Sequence, residues 1–178
     1  MLGRQGSAAL TWTTVFTAAA NATEGGWNGF TLRTNIPAAN LTDMSGTQMR
    51  ITLTVPGSTT LAQQDCYMQS KGSGTFDFST TPIPIFWNGG SSSFSIFGTG
   101  GSQVEIVSDP FSFTYDGTHD LVFDFFGTTA SSNAFRGNNT VSGPSNAYKS
   151  GNDTSTVIAS GYTNDATLKT VINKIEVA

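Results

Sequence analysis

Four aspartates, Asp109, Asp116, Asp120 and Asp124, crowd into residues 109–125 beside His119, the single histidine of the chain. Residue types of this kind can support three chemistries. Carboxylates gathered at a turn can ligate calcium, which takes about six to eight oxygens, and Asp116 and Asp120 are the candidate metal ligands. Two carboxyls at a set separation beside an aromatic cleft can cleave a glycoside, but no pair among the four is singled out by its spacing. Imidazole acid-base chemistry would have to use His119. A Ser-His-Asp site also needs a nucleophile on a strained elbow, and Gly-x-Ser-x-Gly does not occur. The expectation is therefore a non-enzyme with no resident cofactor, calcium being the one ion these acids could take. Asp120, Val122 and Asp124 alternate with Leu121 and Phe123, which predicts a solvent-facing polar strand face for the acids.

Two tryptophans raise a binding chemistry. Trp27 lies in Gly-Gly-Trp-Asn-Gly and Trp87 in Phe-Trp-Asn-Gly-Gly, loop contexts where a sugar could stack on an exposed ring. The alternative is that each ring caps one end of a core. Trp12 shares its parity with Leu10 and Phe16 and is expected inside. Cys66 is the only cysteine, so no intramolecular disulfide is available, and its setting is that of a small buried hydrophobe.

The elements that must position these residues are strands. Period-two alternation marks Leu10–Phe16, Phe30–Ile36, Met49–Val55 and Val171–Val177. Cys66–Met68, Phe76–Phe78, Phe94–Phe97 and Val104–Ile106 add shorter runs. Pro82 and Pro84 confine residues 82–87 to a sheet edge or a loop, because each lacks the N–H that a ladder needs. Phe111, Phe113 and Tyr115, then Leu121, Phe123 and Phe125, read as two strands of a hairpin reversed at Asp116-Gly117. Nine or ten strands, regular turn signals and no convincing helix predict an all-β, antiparallel two-sheet β-sandwich with jelly-roll character. Thirteen phenylalanines can fill it. A single domain over 1–178 is expected, with an extended N-terminal segment (1–9) and a long polar loop region (127–164).

Charged residues are only 11% of the chain, with a net charge of -4 and no Lys/Arg cluster; about 25% is usual. A phosphate-neutralising surface is absent from this composition, which argues against nucleic acid. No run of about 18 apolar residues occurs, which argues against membrane insertion. Arg4 and the following alanines faintly resemble an export signal, but Thr11, Thr13 and Thr14 interrupt the apolar centre, so the segment is read as part of the mature chain.

The run Phe113-Thr-Tyr-Asp-Gly-Thr-His-Asp-Leu-Val-Phe-Asp-Phe resembles a segment of jelly-roll β-sandwich modules in secreted and surface-attached bacterial proteins, where an aromatic, Asp-Gly-Thr and a Leu-Val strand recur. Those modules mediate adhesion or carbohydrate binding. A jelly-roll domain lacking an export signal, with a Ser/Thr/Asn/Gly-rich surface, also looks like the virion proteins of tailed bacteriophages, including capsid decoration proteins, head fibres and tail adhesion domains. The resemblance implies a structural protein of a virion, made in the host cytoplasm without a signal peptide and mounted on capsid or tail. It implies other virion proteins as partners and a homo-oligomer or symmetric multi-copy assembly; the alternative is a carbohydrate-binding or adhesin module that recognises cell-surface glycans, host glycans included, through Trp27 or Trp87. On that reading a neighbouring subunit orders residues 1–9, and 127–164 is the partner-facing surface.

Overall fold

A computed structural model describes residues 9–42, 46–115, 117–128 and 133–178. Strands are numbered in chain order. One sheet contains β1 (Thr13–Thr17), β2 (Ala22–Gly25), β4 (Gln48–Val55), β8 (Val104–Val107), β9 (Phe111–Ser112), β11 (Ala134–Gly137) and β14 (Ile172–Val177). The other contains β3 (Phe30–Ile36), β5 (Thr60–Ser70), β6 (Ile83–Ile85), β7 (Ser93–Phe97), β10 (Leu121–Gly127), β12 (Ser145–Ser150) and β13 (Thr163–Asp165). Every pairing between these strands is antiparallel. The protein is an all-β, two-sheet sandwich.

Its winding is that of a jelly roll. In the first sheet β14 and β8 both pair with β4 over Thr52 and Leu53, so they flank it, and the local order is β1-β14-β4-β8. In the second the order is β3-β10-β5, with β6 and β7 sharing the far edge of β5. The chain crosses between sheets at β3, β4, β5, β8, β10, β11, β12 and β14, and with β2 and β11 to β13 set aside the remaining strands follow two interleaved Greek keys. Strands β11 to β13 lie between β10 and β14 in sequence and extend both sheets at one side. Leu32, Ile36, Ile51, Leu53, Phe123, Phe125, Phe135 and Ile175 belong to the buried cluster between the layers.

Several expectations are corrected by the tertiary structure. The two runs within 109–125 are not hairpin partners: β9 pairs with β4 in one sheet and β10 with β3 and β5 in the other. Both runs alternate because both line the same interior, from opposite walls. The N-terminal strand starts at Thr13, and a register shift between Thr14 and Phe16 buries Val15 and Phe16 together. Leu10 is therefore exposed, and Trp12 is half-buried with the Arg50 guanidinium 4.3 Å above its ring. Strand β4 buries Thr52 and Thr54 as well as its apolar residues, so its second face is drier than alternation implies.

The polar region 127–164 is not one long loop. Its described part supplies β11, β12 and β13, and residues 151–162 fold across the outer face of the second sheet. Arg33 holds that cover in place. Its guanidinium donates to the carbonyls of Phe76 (2.9 Å), Asp153 (3.4 Å) and Thr156, and it lies over the rings of Phe78 (4.5 Å) and Tyr162 (5.1 Å). Asp124 is its ion-pair partner at 3.5 Å, and both side chains are fully buried. The polar strand face expected to be wet is thus sealed, with Val122 buried beside Asp124. Burial drives the Asp124 carboxyl well above the usual carboxylate range, against the opposing pull of Arg33.

Candidate functional site

The residues singled out by sequence are dispersed and mostly structural. Asp109 accepts the N–H groups of Gly89 (3.0 Å) and Gly90 (2.7 Å) and so fixes the turn that follows Trp87. Asp120 is taken up by donors: the Ala38 N–H at 3.0 Å, the Asn35 amide at 3.4 Å and the Lys71 ammonium at 3.3 Å. Burial raises the Asp120 pKa, but these donors outweigh it and leave the net shift downward. Asp120 acts as a clamp between the start of β10, the end of β3 and Lys71. Asp116 lies outside the described residues, as do residues 1–8 of the N-terminal segment. His119 sits exposed in the turn before β10, its Nδ1 2.9 Å from the Thr118 hydroxyl and its carbonyl accepting the Tyr115 hydroxyl.

Neither loop tryptophan offers a flat face to solvent. Trp87 is fully buried, packed on Phe94 at 4.6 Å between centroids, and its indole N–H faces the buried Cys66 thiol. Burial pushes that thiol upward in pKa, which leaves it protonated and unreactive. Trp27 is 5% exposed and makes edge contacts with Phe135 (6.2 Å) and Tyr148 (5.9 Å). Both rings pack against the core, the arrangement that the capping alternative describes.

Trp27 nevertheless forms the wall of a cleft of about 180 Å³, lined by Glu24, Gly25, Gly26, Trp27, Phe30 and Tyr148. Its origin lies in the strand order. Strand β2 pairs with β11 and β13 with β12, so each lies at the margin of its own sheet, on the side of the sandwich that β11 to β13 extend. Glu24 on β2 stands opposite the core residue Phe135, and Asp165 on β13 stands opposite the buried Asn146. Cross-strand partners share a face, so both acids point inward and meet where the layers close. The turn carrying Trp27 needs left-handed backbone at Gly26 (φ 90°) and Gly29 (φ 74°), which glycine adopts without strain. Gly26 N–H and Trp27 N–H both reach the Asn133 carbonyl, at 3.1 and 3.4 Å.

The two acids form a carboxyl pair. Glu24 Oε2 and Asp165 Oδ2 are buried and receive no donor from elsewhere in the described residues. Two ionised carboxylates close together repel and neither can donate to the other, so the neighbouring Asp165 favours the protonated form of Glu24. Glu24 is accordingly pushed up to about 7, first by burial, then by the Asp165 charge and hydrogen bond, with Thr167 pulling the other way. The folded state holds this proton more tightly than the unfolded chain, whose glutamates titrate near 4.5. Stability from the pair is therefore complete below about pH 4.5 and is lost as pH rises toward about 7. Glu24→Gln is expected to flatten that decline, read as the pH dependence of the urea midpoint across this window.

These acids were not legible beforehand, because their meeting depends on two strands far apart in sequence. No protein-family model matches the chain, and no curated protein sequence matches it either. What fold and site define together is a jelly-roll sandwich with an aromatic cleft, and two neighbouring acids with unpartnered buried oxygens, at one edge.

Proposed function

We propose that the chain is a non-enzymatic structural component of a tailed-bacteriophage or phage-like virion, attached to capsid or tail in symmetric copies as a decoration or host-adhesion protein. The observation that supports this reading best is how the connections are tied down. Asp109 pins the 88–90 turn, and Asp77 accepts the N–H groups of Gly74 (2.9 Å) and Ala159 (2.8 Å). Asn133 bridges to Ala62 N–H and carbonyl at 3.2 and 2.8 Å. Asn138 caps Thr140 and Val141 while donating to the Ala19 carbonyl at 2.7 Å. Asp77, Asn133 and Asn138 are buried; loops held in this way open rarely, so the sandwich is expected to resist proteolysis without a disulfide. The jelly-roll winding adds an analogy of fold, since viral capsid and lectin domains share it.

The test is composition of the particle. Virions banded from a lysate of the source phage are expected to contain this chain at a fixed ratio to their major capsid or tail protein, measured by quantitative mass spectrometry. Its absence from banded, infectious particles would remove the reading.

A further inference from the structure

We propose that the cleft between β2, β3 and β12 binds a compact organic cation, a quaternary or methylated ammonium group, seated among Trp27, Phe30 and Tyr148 and neutralised by Glu24, the one acid that lines it. The inference does not depend on the virion reading.

Shape is the first argument. Tyr148 meets Trp27 at 77° and Phe30 at 76°, with centroids 5.9 and 6.0 Å apart. Walls at right angles make a corner. A sugar ring stacks on a broad platform, whereas the methyls of an ammonium group touch several aromatic surfaces at once, and such surfaces attract its charge. The cleft volume, about 180 Å³, is below the range of roughly 300–1,000 Å³ for drug-sized ligands and suits a headgroup.

Charge is the second. Asp165 is 8% exposed with Oδ2 unpartnered, and Glu24 Oε2 is buried and unpartnered beside it. Among the described residues neither acid has a basic partner. Lys149 on β12 is engaged by Asp153 at 3.1 Å, and Arg136 on β11 donates to the Ala20 carbonyl and the Thr23 hydroxyl, both at 3.0 Å. The residue facing Glu24 from β11 is Phe135, and the remaining walls are aromatic or glycine. Carboxyl oxygens buried with no counter-ion are costly to ionise, and that cost helps push the half-buried Glu24 up to about 7. A bound ammonium would supply the missing positive charge, and Glu24 would release its proton to solvent as the ligand enters.

Binding is therefore linked to pH. With Glu24 near 7, affinity is expected to be roughly tenfold higher at about pH 8 than at about pH 6. Isothermal titration of the purified chain with tetramethylammonium chloride and with choline tests this, using two buffers of different ionisation heat to count protons. The expected result is saturable binding, close to one proton released at the lower pH, and loss of the pH dependence in Glu24→Gln. Phe30→Leu should weaken binding severalfold, with its melting temperature measured alongside to establish that the variant is folded. The proposal is overturned if neither cation saturates the wild-type chain, or if both variants bind like wild type. A methyl glycoside that binds instead, with sensitivity to the same two variants, also overturns it.

Discussion

Arg33→Ala is expected to lower the free energy of unfolding by about 3–5 kcal/mol, the cost of stranding a buried charge partner. That is a large share of the 5–15 kcal/mol typical of a whole domain. The effect has two parts. Asp124 is left inside the protein without its cation, and the carbonyls of Phe76, Asp153 and Thr156 lose their donor. Urea unfolding gives the magnitude, and limited proteolysis gives the location. Cleavage should appear first in residues 151–162, because Arg33 supplies a charged tie of that segment to the sheet, beside the hydrogen bonds with Thr31, Phe78 and Asp77. A double replacement, Arg33→Met with Asp124→Leu, separates the parts: removing both charges together should recover most of the loss. If Arg33→Ala unfolds within about 0.5 kcal/mol of wild type, like an ordinary surface change, the sealed outer face has been misjudged.

Trp87→Ala carries the second large effect, about 3–5 kcal/mol. The indole fills the space between Phe94 and Cys66, and its loop is held by the Asp109 carboxylate, so the structure has little room to collapse into the cavity. Thermal melting of the variant measures this directly. A tryptophan displayed for ligand stacking would behave differently, with stability nearly unchanged and binding lost. Trp87→Phe should recover part of the packing and so melt between the two.

Much of the sandwich is legible in local pattern. Alternation at Phe30–Ile36 and Met49–Val55 marks β3 and β4, and the prolines at 82 and 84 place β6 at an edge, where it lies. Cys66 is buried as its context implies. The errors have one physical origin. Period-two alternation reports that one face is apolar, but it does not report what covers the other. Asp120, Val122 and Asp124 read as a wet face, yet Arg33 and residues 151–162 lie over Asp124, with Val122 buried beside it, and that cover comes from a segment whose composition resembles a free loop. Likewise, two neighbouring alternating runs predict a hairpin, because contact between adjacent strands is the commonest arrangement. In a jelly roll the chain leaves the sheet instead.

The stretch 109–125 illustrates both sides. Its aromatic alternation, its turn chemistry and the polar, weakly charged composition around it are sufficient to specify a β-sandwich, because alternation and turn residues act over a few neighbours. Which strands pair is decided by contacts among residues distant in the chain, and so is the place where Glu24 and Asp165 meet. Those two acids carry no local signature. They come together near Trp27 only because β2 and β13 occupy the same edge of two different sheets, where burial and the neighbouring Asp165 charge push the Glu24 carboxyl up.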